Sequence, residues 1–296
     1  MSTANGIQGV IGYLISPYSS EATGIDKNAL RATIDHLIEG GVHGIAPLGS
    51  TGENAYLSDE EWLQVAQTTT SHVNGRVPTV VGVSALTTAK TVQFAKAAED
   101  AGADAVMVLP ISYWSLKDDE VRAHYEAVSD AISIPIMAYN NPATAGVDMS
   151  PQLLVQMAQE LENVSMIKES SGDIQRMHLI QELSGGELPF FNGCNPLALE
   201  ALAAGARGWC TAAPNLIAGL NVRLWDLITE GELEEARACF YKQLPTLRFI
   251  LEGGLPTTIK AALCLQGIEV GAPRPPLSAL GEEGTAKLKA LMSTSG

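Results

Sequence analysis

The sequence contains few cysteines, the residues that stabilise disulfide-rich proteins and bind structural zinc. Its 296 residues include four cysteines, and no two of them form a Cys-x-x-Cys pair. This argues against a disulfide framework or a zinc site, and we expect buried free thiols in a reducing compartment. The four lie in apolar or helical surroundings: Cys194, Cys210, Cys239 and Cys264.

Long apolar runs and an excess of positive charge are also missing. No apolar run approaches the roughly 20 residues that span a bilayer, and residues 1–6 lack the basic and apolar parts of a secretory signal. With 18 Lys and Arg against 33 Asp and Glu, the net charge is -15, which argues against nucleic acid or an anionic membrane as a partner. We expect a soluble, cytoplasmic protein. A small anionic substrate is still compatible, because backbone N–H groups can bind a carboxylate in an acidic protein.

Short apolar runs rich in β-branched residues alternate with longer amphipathic stretches, and 46% of the residues are hydrophobic. Eight strands joined by helices predict a (β/α)8 TIM barrel. The predicted strands are residues 10–15, 44–48, 79–83, 105–109, 134–139, 164–168, 189–191 and 208–211. The predicted helices between them include residues 27–38, 59–71, 88–100 and 118–132.

Glycines mark the joints of this pattern, since Gly41, Gly102 and Gly205 each lie between a predicted helix and the next strand. A doubly wound sheet is the alternative fold, but no Gly-x-Gly-x-x-Gly loop follows the first strand. After Asn215 the pattern is helical. We predict a barrel core over residues 1–217, and the last barrel helix plus a C-terminal helical region over 218–296. The predicted C-terminal helices are residues 220–229, 232–241, 245–251, 257–266 and 277–292, with a proline-rich linker at 271–276.

One apolar run, residues 164–168, ends on Lys168 and passes directly into small polar residues and Gly172. An ammonium at the inner end of a buried strand is costly unless it is paired or does chemistry. A desolvated, neutral amine is the nucleophile that condenses with a ketone to form a Schiff base. The alternative is a lysine that extends to solvent from a strand end.

Other strand ends carry candidate polar groups, because chemistry in barrels concentrates at the carboxyl ends of the strands. Residues 49–53, Gly-Ser-Thr-Gly-Glu, permit a tight turn that presents N–H groups and hydroxyls to a small anion, or an ordinary turn that caps the next helix. Tyr139 could relay protons or tie down a loop. Tyr113 and Trp114 could form a lid or an oligomer contact.

Other titratable residues favour structural roles. Asp104 and Asp173 are interpreted as turn or cap residues rather than bases. No cluster with metal-ligand spacing falls at the strand ends, so we expect no metal and no other cofactor. The histidines lie in helices or at helix-to-strand joints and are interpreted as structural or surface residues: His36, His43, His72, His124 and His178.

Three motifs together resemble the dihydrodipicolinate synthase / N-acetylneuraminate lyase family of Schiff-base pyruvate aldolases. They are Gly49-Ser50-Thr51-Gly52-Glu53, Tyr139-Asn140-x-Pro142 and Ile167-Lys168-Glu169. The similarity continues into the C-terminal region through Lys260, Gly267 and Arg274-x-Pro276. This resemblance implies a (β/α)8 barrel with a C-terminal helical region, assembled as a homotetramer of tight dimers.

The resemblance also implies roles for individual residues. Lys168 would form the imine with a 2-oxo acid such as pyruvate, and Tyr139 would shuttle protons. Ser50 and Thr51 would hold the carboxylate, with Ser50 also in the proton relay. Tyr113 resembles the tyrosine that crosses the dimer interface to complete the relay of the neighbouring subunit.

Departures from the family pattern bear on the second substrate. Thr144 stands where dihydrodipicolinate synthases have an arginine that binds the carboxylate of the aldehyde substrate, and a hydroxyl does not replace such a bidentate contact. Leu86 and Lys90 occupy positions that bind the feedback inhibitor lysine in those enzymes. Asn195 follows Gly193 where sialic acid lyases have an acidic pair.

We therefore expect a small, neutral pocket around Thr144, Asn195 and Thr211. It would suit a 2-keto-3-deoxy acid or a related hydroxylated 2-oxo acid, which is either cleaved by an aldolase or dehydrated. True 4-hydroxy-tetrahydrodipicolinate synthase activity is one alternative. A barrel that binds a 2-oxo acid without catalysis is another, since fold does not fix function.

Overall fold

The computed structural model describes residues 6–19 and 24–295. Residues 1–5, on which part of the expectation about a secretory signal falls, lie outside them. Eight parallel strands with helices between them form a nearly closed (β/α)8 barrel, followed by a C-terminal helical region, which confirms the predicted fold class. The strands are β1 Gly9–Tyr13, β2 Gly44–Ala46, β3 Val80–Gly82, β4 Ala105–Val108, β5 Ile136–Asn140, β6 Val164–Glu169, β7 Phe190–Asn192 and β8 Gly208–Thr211.

The helices follow the order that the amphipathic stretches predict, with shifts of a few residues at their ends. They are α1 Lys27–Glu39, α2 Asp59–Val73, α3 Thr88–Asp100, α4 Asp118–Ser129, α5 Pro142–Ala145, α6 Pro151–Glu160, α7 Ile174–Leu183, α8 Ala198–Ala203, α9 Pro214–Glu230, α10 Leu233–Glu252, α11 Leu255–Leu265 and α12 Glu282–Ser295. Among the described residues, no helix is long and apolar enough to cross a membrane.

The chain divides into two compact units. The first unit contains the described residues of 1–8 and 78–210, and its strands β3 to β8 pair in sequence order, all parallel. Their side chains are almost entirely buried, as near-continuous apolar strands in a parallel sheet require. Asp173 caps α7 by accepting from Gln175 N, and Asp104 accepts from Thr79 N at 2.7 Å. These contacts confirm both as cap or turn residues.

The second unit contains the described residues of 9–77 and 211–296, in which β1 and β2 pair in parallel. Ser58 and Glu61 form a capping box at the start of α2. The helix α10 runs without interruption through Pro245, so the prediction of two separate helices, 232–241 and 245–251, is wrong. Proline removes one hydrogen bond of the helix interior, and packing of the buried face of α10 outweighs that loss.

In the C-terminal region, the start of the last helix differs from the prediction. The last helix begins at Glu282 rather than at residue 277. The predicted boundary between residues 217 and 218 falls inside α9, where Ile217 departs from helical dihedral angles (φ -139°, ψ 42°). A division into core and appendage at this point stays a prediction.

Three of the histidines make structural contacts, in agreement with the prediction that the histidines are structural or surface residues. His72 pairs with Asp35 at 2.9 Å, and His43 Nδ1 accepts from Val10 N at 3.1 Å. His124 Nδ1 lies 3.0 Å from Thr88 Oγ1.

Candidate active site

Lys168 and Tyr139 lie side by side in the first unit. Tyr139 on β5 stands directly opposite Lys168 on β6 in the strand register. The side chains lie on the same face of the sheet, and both residues are only 4% exposed. Lys168 Nζ lies 3.6 Å from the centroid of the Tyr139 ring, within the range of a cation–π contact. An amine and a phenol are therefore held together in a site with little water.

The Tyr139 hydroxyl is oriented by its neighbour Asn141, whose Nδ2 donates to it at 2.9 Å. Because the phenol oxygen accepts this bond, its own proton is available to another acceptor. The Tyr139 hydroxyl can thus transfer a proton beside the Lys168 amine.

Gly193, just after β7, lies so close to Lys168 and Ser170 that any side chain at this position would require both of them to move. A Cβ at this position would lie 2.6 Å from Lys168 Cε and 1.8 Å from Ser170 Oγ. The backbone therefore forms one wall beside the terminal carbon of the lysine. Ser170 Oγ is buried and has no hydrogen-bond partner among the described residues.

Glu169, the residue after Lys168, forms a buried hydrogen-bond network on the opposite face of β6. The Glu169 side chain is fully buried, and it accepts from Ser171 N at 2.6 Å and from Asn140 Nδ2 at 3.1 Å. Arg176 of α7 donates from Nε at 3.2 Å. A buried carboxylate needs such partners, and here they join β5, β6 and α7 directly behind the amine and the phenol.

The same network fixes the segment that follows α5. Asn140 Oδ1 accepts from Met149 N at 3.0 Å, and Arg176 donates to the Met149 carbonyl oxygen. Arg176 Nη2 also pairs with Asp148 Oδ1 at 3.0 Å. The positions after Tyr139 are therefore held by side chains of two other elements of this unit.

Sequence reasoning did not single out Glu169, Arg176, Ser170 or Gly193 as functional residues. One signal was present for Glu169, because a carboxylate at the end of an apolar strand requires a buried cation. Nothing in the sequence, however, pairs it with Arg176 rather than with another basic residue.

In the second unit, residues 50–52 form a short 3₁₀ helix after β2. Thr51 is buried and Ser50 half-buried. Ser16 Oγ donates to Gly52 O at 2.7 Å, which ties the turn to the segment after β1. The cap of α2 is Ser58, so neither Ser50 nor Thr51 serves as the cap of that helix.

The other predicted site residues have varied surroundings. Thr211, at the end of β8, is buried and its Oγ1 accepts from Ala213 N at 3.0 Å. Asn195 is buried at the start of a short 3₁₀ helix after β7. Thr144 is exposed in α5. Tyr113 is 88% exposed and packs edge to face on Trp114, so within this chain it does not belong to the buried group of Lys168 and Tyr139.

No group of three or more His, Cys, Asp or Glu side chains among the described residues could hold a metal ion. What the first unit offers is a buried amine beside a phenol.

Known proteins match this chain over most of its length. The family model described as the dihydrodipicolinate synthetase family matches residues 6–295. A protein of Methanopyrus kandleri named 4-hydroxy-tetrahydrodipicolinate synthase is 32% identical over 277 residues, covering 94% of this chain and 92% of the relative.

Solved structures resemble the whole chain. A Pseudomonas aeruginosa protein, provisionally described as a dihydrodipicolinate synthetase, matches with a TM-score of 0.97 and 58% identity, covering 98% of this chain and 100% of that one. A dihydrodipicolinate synthase of Acinetobacter baumannii, solved in complex with pyruvate, has a TM-score of 0.93 and 28% identity, covering 98% and 99%.

Proposed function

The chain belongs to the dihydrodipicolinate synthetase family and is a lyase of that family, and we propose that Lys168 forms a Schiff base with pyruvate or another 2-oxo acid. The observation that carries this proposal is the buried contact between Lys168 and Tyr139 at the ends of neighbouring strands. The pyruvate complex of the Acinetobacter relative supports the same substrate class.

The proposed chemistry begins when the Lys168 amine attacks the ketone carbon of the 2-oxo acid. Loss of one water leaves a protonated imine, which withdraws electrons from the neighbouring carbon. That carbon then loses a proton to give an enamine, or a C–C bond to it breaks and releases an aldehyde. In the reverse direction the enamine attacks an aldehyde. In the dehydratase variant a hydroxyl leaves as water.

We assign the proton transfers of these steps to Tyr139 and Ser50. A positioned acid or base contributes on the order of 10²–10⁴-fold to such a step. Ser50 and Thr51 bind the carboxylate of the 2-oxo acid through the N–H groups and hydroxyls of their turn, which orients the ketone. Tyr113, exposed in the single chain, completes the relay of a second subunit.

The second substrate is proposed to be a neutral, hydroxylated group rather than one with an additional carboxylate. Thr144 offers a hydroxyl in place of a guanidinium, and Asn195 and Thr211 are uncharged. The buried Ser170 hydroxyl, which lacks a partner among the described residues, supports a substrate that carries hydroxyls of its own. A 2-keto-3-deoxy acid has this chemistry.

We further propose a cytoplasmic homotetramer built from two tight dimers. The four cysteines are free in the structure, which is compatible with a reducing compartment. Sedimentation of the purified protein at several concentrations measures the oligomeric state directly.

Turnover by the wild-type protein and Lys168→Arg over a panel of 2-oxo acids tests the proposed activity. The panel contains pyruvate with aldehydes, including one that carries a carboxylate, and several 2-keto-3-deoxy acids. We expect wild-type turnover of a neutral, hydroxylated member and none by Lys168→Arg. Equal turnover by both proteins would refute the role of Lys168, and a preference for the aldehyde that carries a carboxylate would refute the substrate class.

A further inference from the structure

A buried ion pair lies directly behind the Ser50–Thr51 turn. Glu53 is the residue that ends this turn, and its side chain is fully shielded from solvent. Glu53 Oε2 lies 2.5 Å from Lys260 Nζ of α11, whose side chain is 2% exposed. Glu53 Oε1 accepts from Arg274 N at 2.7 Å. The carboxylate is thus held at both oxygens by residues of the C-terminal region.

These C-terminal groups are themselves held in place. Lys260 Nζ donates to Ala272 O at 3.1 Å and lies 4.4 Å from the centroid of the Tyr18 ring. The Arg274 guanidinium lies 4.1 Å from the same centroid and pairs with Glu61. Two cations, two carboxylates and one aromatic ring therefore form a balanced cluster.

The turn requires an external anchor because its backbone is strained. Glu53 has φ 56° and Leu48 has φ 61°. These values lie in the left-handed region, which is unfavourable for residues other than glycine and persists only when the surrounding structure holds the backbone there. Gly52 is close to the Leu14 carbonyl oxygen, 3.3 Å from where a Cβ would be. A short turn with these dihedral angles holds its shape only if both of its ends are fixed.

A buried ion pair is a poor source of stability, because desolvation offsets much of the attraction between the charges. Its better-supported use is to select one arrangement among several. Here the arrangement that it selects is the turn that carries Ser50 and Thr51.

We propose that Glu53, Lys260 and Arg274 are positioning residues, which fix the Ser50–Thr51 turn and thereby set the affinity for the carboxylate of the 2-oxo acid. None of the three touches the substrate. This inference rests on the proposed function, and it gives the C-terminal helical region a part in substrate binding.

The test uses the double variant Glu53→Gln/Lys260→Met, because either single change leaves one charge buried without its partner and is strongly destabilising. Gln retains an oxygen for Arg274 N, and Met retains most of the volume of Lys260. The matched control is Arg223→Met/Glu230→Gln, which removes an ion pair of the same unit whose side chains are 53% and 56% exposed.

Borohydride trapping at Lys168 is measured against the concentration of pyruvate and, separately, of acetone, which has the ketone but no carboxylate. We expect the double variant to need at least about tenfold more pyruvate for half-saturation, with unchanged trapping at saturation. Its trapping by acetone should match the wild type. The control variant should match the wild type with both ketones.

A half-saturating pyruvate concentration within about twofold of the wild type, or an equal loss with acetone, overturns the inference while leaving the imine intact. Absence of trapping in the wild type refutes the proposed function, and this inference with it. If the double variant does not fold, Arg274→Gln decides, because it keeps the N–H that binds Glu53 and removes the partly exposed guanidinium that pairs with Glu61 and packs on Tyr18. A selective rise of about threefold in half-saturating pyruvate supports the inference, and no rise overturns it.

Discussion

Lys168 Nζ lies 3.6 Å from the centroid of the Tyr139 ring, and the two residues are directly opposite each other on neighbouring parallel strands. The register of the parallel strands β5 and β6 fixes this proximity. Side chains that lie opposite each other on one face of a sheet are close in space, and this does not depend on the conformation of the loops. The amine and the phenol are thus positioned by backbone hydrogen bonds rather than by mobile segments.

Replacement of Tyr139 by Phe should lower kcat by about 10²–10⁴-fold, since the ring stays and the transferable proton is lost. Borohydride trapping of pyruvate should persist, although more slowly. Tyr125→Phe is the control. Its buried hydroxyl donates to Val108 O at 2.7 Å, so we expect a loss of about 1 kcal/mol in unfolding free energy with kcat retained. A Tyr139→Phe enzyme as fast as the wild type would exclude the phenol from the relay.

Replacement of Gly193 by Ala should slow imine formation, because the added Cβ would lie 1.8 Å from Ser170 Oγ and 2.6 Å from Lys168 Cε and would displace both side chains. The double variant Gly193→Ala/Ser170→Gly removes the shorter overlap, and we expect it to recover part of the activity. Gly219→Ala, with no atom within 4 Å of its added Cβ, should be fully active. Trapping assays on the three proteins measure the effect, and a fully active Gly193→Ala would contradict the close approach.

Loss of the Arg176 side chain should destabilise the protein strongly, because Glu169 would remain as a buried carboxylate without its cation. We expect Arg176→Met to lose about 3 kcal/mol of unfolding free energy in urea denaturation. Arg122→Met, whose partner Glu160 lies at 2.9 Å on the surface, should lose much less, since exposed ion pairs contribute little. Equal losses in both variants would show that the Glu169 network is not a buried anchor.

Acidification should destabilise the protein in part through His124. Burial lowers the pKa of its imidazole below the ordinary value, so below about pH 6.5 the unfolded chain binds a proton that the folded chain does not. The unfolding free energy therefore falls as the pH drops below that value, by at most about 1.4 kcal/mol per pH unit from this residue. Above it, the contribution of His124 does not change.

Denaturation of His124→Gln between pH 7.5 and 5 measures this contribution. The variant should lose less unfolding free energy on acidification than the wild type, whereas the exposed His178→Gln should follow the wild type. His43, whose pKa is also lowered by burial, remains in all three proteins. Parallel curves for His124→Gln and the wild type would show that His124 does not carry the effect.

The strands and most helices could be predicted from the sequence, because apolar runs and amphipathic stretches reflect burial directly. The uninterrupted α10 could not, since packing decides whether a helix continues through Pro245. The sequence placed Lys168 and Tyr139 at the ends of two predicted strands, and the register of β5 and β6 then brought them into contact. The roles of Ser50 and Thr51 came from the family resemblance, because a Gly-Ser-Thr-Gly turn by itself fits a helix cap equally well.

The pairs that sequence reasoning missed depend on how separate elements pack, whether the partners are near or far along the chain. Glu169 meets Arg176 through the folding of α7 onto β6, and Glu53 meets Lys260 across more than 200 residues of chain. Pattern and propensity act over a few neighbouring residues, so they carry no information on which distant charge neutralises a buried carboxylate. Such pairs become visible only in three dimensions.

Covalent capture of the imine tests the central claim most directly. The protein is incubated with pyruvate, reduced with borohydride, digested and examined by mass spectrometry. We expect one reduced pyruvate adduct, located on Lys168, and none on Lys260 or in Lys168→Arg. An unmodified Lys168, or an adduct on any other lysine alone, would contradict the account.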